Sequence, residues 1–224
     1  MFEKLLDTIN LTKRDLLIIL GDSCDRGSQS YELYKKYYDL EKEGYNIKHL
    51  RGNHEDMLLK AIESGANEHW YRNGGEKTQE SFYNNSESRD TLSFEEWIKC
   101  EGIKSVKWFM EWLDRIPIMI SGKENLFVHA AFDTTKDEDE QEHRFLIWDR
   151  NDFWTNNNTG KAIYFGHTPS KDGKIKHYVN DVHCIDTGSY KNGIIACVEL
   201  KTGKEIYIKA KEKMKTKGKE KSED

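Results

Sequence analysis

Apolar runs that end in polar clusters organise the first third of the chain. Residues 15–20 are almost wholly apolar and stop at a Gly-Asp pair, and a second predicted strand at 45–50 stops at an Arg-Gly-Asn-His segment. Between them, residues 31–43 carry apolar side chains at helical spacing and end before a glycine. The pattern predicts a strand, a helix and a second strand, with both strands ending where open α/β folds bind ligands.

The middle of the chain is less regular. Apolar side chains between residues 57 and 62 predict one face of a helix after the second strand. Residues 66–92 are polar and rich in asparagine, serine and glycine, which predicts an insertion or cap outside the core. Residues 94–113 again place apolar side chains at helical periods, so a further helical segment is expected there.

The second half changes to short strands. Residues 117–120 and 125–128 flank a Ser-Gly-Lys-Glu turn and predict a hairpin. Further apolar runs predict strands at 162–165, 182–185, 194–200 and 205–208. Strand-helix units followed by hairpins predict an α/β fold, α+β in some schemes, in which two packed mixed β-sheets are flanked by helices.

Length and charge narrow the class of protein. The 224 residues fit one domain at 1–208, followed by a Lys-rich tail at 209–224 whose seven lysines and four acidic residues predict disorder. A net charge of −5 argues against nucleic acid as the main partner. The chain has no apolar run long enough for a membrane span and no secretory signal at its start, so a cytoplasmic protein without a membrane partner is expected. Four widely spaced cysteines predict reduced thiols rather than disulfides or a zinc site.

Four polar clusters follow predicted strands and carry the candidate chemistry. They are Gly21–Gly27, Gly52–Glu55, Val128–Ala130 and Gly166–Thr168. An aspartate directly after a buried strand can bridge two metal ions, which makes Asp22 the expected bridging ligand; the alternative is that it caps the following helix.

An asparagine and two histidines lie in the same position after other strands. Asn53, His129 and His167 add amide and imidazole ligands, a set that suits manganese, iron or zinc better than magnesium. The remaining histidines lack this context and are interpreted as structural or solvated; they are His49, His69, His143, His177 and His183.

The order of these motifs resembles the metallophosphoesterase superfamily, and within it the serine/threonine phosphoprotein phosphatases of the compact bacterial and phage type, over most of residues 1–208. The resemblance implies a calcineurin-like fold and two divalent metal ions. It assigns Asp22 as the bridging ligand, Asp25 as the residue that orients a histidine and Arg26 as a phosphate-binding residue. It assigns Asn53 as a metal ligand and His54 as the proton donor to the leaving group.

The later motifs complete this resemblance. His129 and His167 match the histidines that fill the shell of the same metal, and the Leu146–Arg150 segment places a second phosphate-binding arginine at Arg150. The Asn73–Thr78 segment resembles a family segment near the site. It is not a nucleotide-binding P-loop, because Glu76 stands where a glycine must precede the lysine.

Family members begin with a strand that ends in Gly-Asp-x-His-Gly, whose Asp and His bind the first metal. The printed sequence has no such segment, so we expect the first strand to be missing, only one metal site to be complete, and activity to be impaired. An internal start codon, a truncated gene and a non-catalytic relative are the three alternatives.

The leading functional hypothesis is a metal-dependent phosphomonoesterase, a serine/threonine protein phosphatase that acts on a phosphoprotein or a small phosphoester. Two arginines suit a phosphate dianion, and manganese is the expected metal, with iron or zinc as alternatives. A symmetrical dinucleoside polyphosphate hydrolase is the enzymatic alternative. A phosphate-recognising module without turnover is the non-enzymatic one.

Overall fold

The computed structural model describes residues 1–210, and its first elements follow the predicted order. They are α1 (Phe2–Ile9), β1 (Leu16–Ile19), α2 (Ser30–Lys42), β2 (Asn46–His49) and α3 (Asn53–Ser64). Strands β1 and β2 pair in parallel, with Leu17 opposite Ile47, and α2 makes the connection between them. Both side chains are buried, since they lie between α2 and the neighbouring apolar side chains of α1. The strand-helix-strand prediction is confirmed.

A helical region follows, and here one prediction is wrong. It contains α4 (Glu68–Arg72), α5 (Gly75–Asn84), α6 (Phe94–Cys100) and α7 (Lys107–Asp114), with 3-10 turns at Glu87–Asp90 and Ile103–Ser105. Residues 66–92 are not a cap outside the core, because Trp70 and Phe82 are completely enclosed. The polar composition is misleading because α5 buries Thr78 and Ser81 as well, and both hydroxyls make hydrogen bonds to α2 or to the loop before it.

The helical segment predicted at 94–113 is divided. Helix α6 ends at Cys100, and the chain turns at Gly102, whose φ of 60° lies in the left-handed region that favours glycine. Helix α7 then restarts the apolar face, with Phe109, Trp112 and Leu113 buried against the other helices. The apolar spacing therefore locates both helices, while the glycine sets the boundary between them.

The second half forms a mixed five-stranded sheet. Its strands are β3 (Met119–Ser121), β4 (Asn125–Val128), β5 (Ala162–Phe165), β6 (Lys176–Tyr178) and β7 (Val182–Cys184), in the order β3-β4-β5-β7-β6. The three central strands are parallel, and the edge strands β3 and β6 pair antiparallel. Strand β6 was not predicted, because its Lys-His-Tyr sequence has no apolar run. Short helical segments lie before β5, at Glu138–Glu140, in α8 (His143–Trp148) and at Phe153–Thr155.

The remaining elements are α9 (Ser189–Asn192) and a hairpin of β8 (Ile194–Glu199) and β9 (Lys204–Lys209). The mixed α/β fold is confirmed, and the described strands form three hydrogen-bonded sheets of two, five and two strands. Strand β9 extends to Lys209, while residues 211–224 of the predicted tail lie outside the described residues. Within residues 1–210, no helix has the length and apolar character that a membrane crossing requires.

The ends of several strands meet through backbone hydrogen bonds. Arg51 N, just after β2, donates to Pro117 O, which precedes β3, at 2.7 Å. Gly166 N, after β5, donates to His129 O, after β4, at 2.8 Å. Leu50 N also donates to Ile19 O at 2.8 Å, and His129 Nδ1 lies 2.6 Å from Leu20 O. Together these contacts bring the loops after β1, β2, β4 and β5 to one place, where the four polar clusters lie.

Candidate metal centre

The loop after β1 has an unusual backbone conformation. Gly21, Asp22, Asp25 and Arg26 have φ values of 92°, 55°, 70° and 60°, all in the left-handed region. For residues other than glycine this conformation costs free energy, and such residues concentrate at functional sites because the surrounding structure must hold them there. The loop therefore fixes the positions of its two carboxylates at the expense of backbone strain.

Four predicted ligands lie together at the strand ends. Asp22 Oδ2 is 3.3 Å from His129 Nε2, and Asn53 Oδ1 is 3.1 Å from the same nitrogen. Asp22, His129 and His167 each offer one ligand atom, and these three atoms lie within 4.8 Å of one another. The structure thus brings together all four residues that the sequence proposed as ligands.

The hydrogen bonds of the two histidines direct one ring nitrogen of each toward the cluster. His129 Nδ1 lies 2.6 Å from Leu20 O, and because a carbonyl oxygen only accepts, Nδ1 carries the proton and Nε2 faces Asp22 and Asn53. Within residues 1–210, the buried Nε2 of His167 has no hydrogen-bond partner. A buried polar atom without a partner is costly, so this nitrogen fits a ligand role.

The pKa shifts describe the charge of this cluster. Burial opposes a charge on His129, but the carboxylate of Asp22 outweighs burial and raises the pKa of His129 to about 9. For His167, burial and the positive charges of His129 and Arg150 lower the pKa to about 3. Burial would raise the pKa of Asp22, yet the two histidines beside it, His129 and His54, lower it. A cation in this cluster would take the place of the proton on His129.

Beside these residues, His54 and Asp25 form a buried pair. His54 Nδ1 lies 2.5 Å from Asp25 Oδ2, and the opposite oxygen of Asp25 accepts hydrogen bonds from Thr78 Oγ1 at 2.7 Å and Trp70 Nε1 at 2.9 Å. Burial would lower the pKa of His54, but the hydrogen bond to Asp25 and the nearby carboxylates raise it. Asp25 therefore fixes the orientation of the imidazole and favours its protonated form.

Asp22 does act as a helix cap, but not for the helix that follows it. Its Oδ1 accepts a hydrogen bond from His54 N at 3.0 Å, in the first turn of α3. Gly52 precedes this turn, and a Cβ there would lie only 2.3 Å from Asp22 Oδ1. Gly52 is required because the two loops touch. The alternative that Asp22 caps the helix that follows it is wrong, and its role as a metal ligand stays a prediction.

Glu55 supports both loops, and the sequence analysis gave it no role. Its side chain is fully buried, and its carboxylate accepts hydrogen bonds from the backbone N–H groups of Asp22, Ser23 and Gly52 at 2.8–2.9 Å. Tyr34 donates its hydroxyl to the same carboxylate at 2.7 Å. Glu55 therefore joins the loop after β1 to the loop after β2.

Both arginines lie at the margin of the site. Arg26 is exposed, and its guanidinium carbon stands 4.4 Å from the centre of the Tyr190 ring of α9. Arg150 is also exposed and donates from Nη2 to the backbone oxygen of His167 at 3.2 Å. The guanidinium of Arg150 is thus adjacent to His167 of the cluster, while that of Arg26 lies against Tyr190. Among the described residues, Arg150 uses one of its five N–H donors in a side-chain hydrogen bond.

Several supporting residues escaped sequence reasoning. Thr78 lies in the segment that the resemblance placed near the site, but nothing in the sequence indicated that its hydroxyl would bind Asp25. Trp70 and Tyr190 carried no signal beyond being aromatic. Asp186 follows β7 as Asp22 follows β1, and this position after a strand was the signal in the sequence that could have indicated it. Its pKa is raised, mainly by burial and further by the charge of Asp22.

Comparisons with known proteins agree with this arrangement. The family profile for calcineurin-like phosphoesterases matches residues 1–198. The symmetrical bis(5'-nucleosyl)-tetraphosphatase of Buchnera aphidicola subsp. Schizaphis graminum (strain Sg) is 32% identical over 94 residues, which are 42% of this chain and 30% of that protein. Serine/threonine-protein phosphatase 2 of Escherichia coli (strain K12) is 38% identical over 64 residues, which are 29% of this chain and 27% of that protein. The chain thus spans less than a third of the length of these two relatives.

A solved structure has the same fold. It is described as "Crystal structure of a putative diadenosine tetraphosphatase", and it matches 92% of this chain and 86% of its own with a TM-score of 0.63 and 15% identity. At this identity the likeness supports the architecture alone. The family profile extends from α1 into β8 and includes every residue of the candidate metal centre. The chain therefore belongs to the calcineurin-like phosphoesterase family.

Proposed function

We propose that this protein is a metal-dependent phosphomonoesterase that hydrolyses phosphoserine or phosphothreonine. The observation that carries the proposal is the contact between a buried His54–Asp25 pair and a cluster of carboxylate, amide and imidazole groups. An acid beside a cation-binding cluster is the arrangement that phosphoester hydrolysis needs. The family supports a phosphoesterase, and the choice of a phosphomonoester is our own.

The residues fit a divalent cation. Asp22, Asn53, His129 and His167 would hold it, because His129 turns Nε2 toward two oxygens and a buried nitrogen of His167 has no partner among residues 1–210. These four residues would complete one of the two cation sites expected for the family, and manganese is the first choice because mixed imidazole and oxygen ligands suit it, with iron or zinc as alternatives. When bound, the cations would supply Lewis-acid activation of water and of the phosphoryl group.

His54 is the proposed proton donor. Asp25 accepts from Nδ1 of His54, so the proton that reaches the leaving oxygen comes from Nε2. Trp70 and Thr78 hold Asp25 from the other side, which keeps the ring from turning away. The raised pKa of His54, in which the hydrogen bond to Asp25 and the nearby carboxylates outweigh burial, keeps more of the imidazole protonated at neutral pH.

Arg26 and Arg150 are the proposed phosphate-binding residues. Arg26 directly follows Asp25, and its charge acts on His54, while Arg150 is anchored to the backbone of His167 beside the cation-binding cluster. Guanidinium groups bind phosphate oxygens through paired N–H donors, and two of them suit a terminal phosphate dianion better than an internal diester.

A second function is supported by a cavity near the centre. A space of about 350 Å³ is lined by His69, Trp70, Arg144 and Trp148, among others, and the Trp148 ring lies 6.4 Å from the ring of His167. Aromatic and cationic walls suit a nucleobase with its phosphates. This cavity favours the alternative of a dinucleoside polyphosphate hydrolase, the activity named for one of the relatives.

The test compares two substrates on the full chain with excess manganese. We expect the wild type to release phosphate from a phosphoserine peptide and the His54→Asn variant to lose this activity. We expect the wild type to cleave diadenosine tetraphosphate more slowly than the peptide. Cleavage of the dinucleotide alone would replace the proposal with the second function. Binding of the phosphopeptide without turnover, unchanged in His54→Asn, would identify a phosphate-recognising module instead.

A further inference from the structure

A second group of metal-ligating side chains lies outside the candidate centre, where β6 and β7 meet the β8–β9 hairpin. His177 and His183 are directly opposite each other in the antiparallel β6–β7 pair, and their Nδ1 atoms are 2.8 Å apart. Glu205 of β9 reaches the other ring nitrogen of His177 at 2.5 Å. Neither histidine has a part in the proposed phosphoesterase chemistry.

The hydrogen bonds of this group define its protons. The carboxylate of Glu205 receives the hydroxyl of Tyr207 on one oxygen and the ring nitrogen of His177 on the other, and a carboxylate oxygen accepts. Nε2 of His177 therefore carries a proton, and in the neutral ring Nδ1 has the lone pair. That lone pair points at Nδ1 of His183, which donates to it.

We propose that His177 and His183 form a chelating site for a borderline divalent cation of the copper or nickel type. Two imidazole nitrogens that bind one ion at right angles, each about 2.0–2.1 Å from it, lie about 2.9 Å apart. The 2.8 Å separation matches this spacing. The ion takes the place of the proton that His183 donates from Nδ1, and that proton moves through solvent to Nε2 of His183, so both rings bind as neutral imidazoles.

The surroundings hold the two Nδ1 atoms at the chelating distance. A histidine ligand commonly donates its second N–H to a carboxylate, which fixes the ring and strengthens the ligand, and Glu205 supplies this contact to His177. Tyr207 donates its hydroxyl to Glu205, and the ring of Tyr164 lies against His183 at a centroid distance of 4.8 Å. The two ligands are therefore ordered before any ion binds.

The site is also accessible. The side chain of His177 is 51% exposed, so an ion can reach the nitrogens and keep water in its remaining coordination positions. The group includes residues of two different sheets, because β6 and β7 belong to the five-stranded sheet and β9 to the terminal hairpin. A bound ion would strengthen the attachment of this hairpin through the His177–Glu205 contact.

The experiment titrates the EDTA-treated full chain with Cu²⁺ and records electron paramagnetic resonance spectra. The wild type is expected to bind one more Cu²⁺ than His183→Gln or His177→Gln, and the difference spectrum is expected to show two equatorial nitrogens. Glu205→Gln keeps both ligands and is expected to bind about tenfold more weakly. His143→Gln is the matched control, because its side chain is 49% exposed and it removes one surface histidine elsewhere.

Thermal unfolding gives a second readout. Ni²⁺ at a hundredfold excess over its dissociation constant is expected to raise the Tm of the wild type by at least about 5 °C more than that of His183→Gln. The Tm of each variant without metal shows that it folds. Equal Cu²⁺ stoichiometry and affinity in the wild type and His183→Gln would overturn the proposal. A loss of Cu²⁺ binding in His143→Gln as large as that in His183→Gln would overturn it too.

Discussion

The substitution Glu55→Gln tests whether one buried carboxylate supports both loops of the centre. Oε2 of Glu55 accepts from the N–H groups of Asp22 and Gly52, and Oε1 accepts from Ser23 N–H and the Tyr34 hydroxyl. An amide has one oxygen. The glutamine amide loses least if its oxygen keeps the two bonds now made to Oε2, because the Tyr34 hydroxyl at the other position can accept as well as donate. The NH₂ group then faces Ser23 N–H, and two donors meet in a fully buried space.

The expected loss follows from these contacts. One buried N–H loses its acceptor, at a cost of about 1–3 kcal/mol, and the remaining bonds no longer go to a charged group. The total is about 3 kcal/mol, which corresponds to a decrease in Tm of about 6–12 °C for a domain of this size. Thermal unfolding in EDTA measures this without a contribution from metal binding.

Glu63→Gln is the matched control, since Glu63 is exposed on the same helix α3. It is expected to change Tm by less than about 2 °C. A Glu55→Gln variant as stable as this control would refute the reasoning, because four hydrogen bonds to the carboxylate could not then hold the loops together.

Three further outcomes are expected. Gly52→Ala places a Cβ 2.3 Å from Asp22 Oδ1 and should weaken Mn²⁺ binding at least tenfold in a calorimetric titration. Thr78→Val removes a hydroxyl bonded to Asp25 and should lower kcat about tenfold while leaving Mn²⁺ affinity unchanged. Burial raises the pKa of Asp186, so the contribution of this side chain to folding stability is largest in acid and falls as pH rises through that pKa. Asp186→Asn should therefore raise Tm in EDTA at neutral pH. An equal increase in Tm in acid would contradict this reasoning.

The apolar periodicity of the sequence predicted most of the helices and strands but not those with polar buried or paired faces. The alternation of apolar runs and helical periods found β1, α2, β2 and the later strands because each buries an apolar face. It failed where burial is achieved by hydrogen bonding, as on the face of α5 that carries Thr78 and Ser81. It also failed for β6, whose His177 faces another histidine instead of an apolar neighbour.

The grouping of the candidate ligands was largely predictable because they follow strand ends. Asp22 and Asn53 follow the parallel strands β1 and β2, and His129 and His167 follow the parallel strands β4 and β5, so each pair lies at one edge of its own sheet. The support of these residues was not predictable. The bond from Gly52 N to Glu55 is the contact of a glutamate three residues after the N-cap and follows a known pattern. The bonds from Asp22 N and Ser23 N come from a loop more than 30 residues away, and no residue pattern encodes them.

The central claim is that His54 gives a proton to the leaving group beside bound cations. The most direct measurement compares the wild type with His54→Asn, both with excess manganese, on a phosphoserine peptide and on p-nitrophenyl phosphate. The serine alkoxide needs a proton as it leaves and the nitrophenolate hardly does. The account therefore predicts a loss of at least about a hundredfold on the peptide and a much smaller one on the nitrophenyl ester, with Mn²⁺ affinity unchanged. Equal losses on both substrates, or no manganese-dependent turnover by the folded wild type, would contradict it.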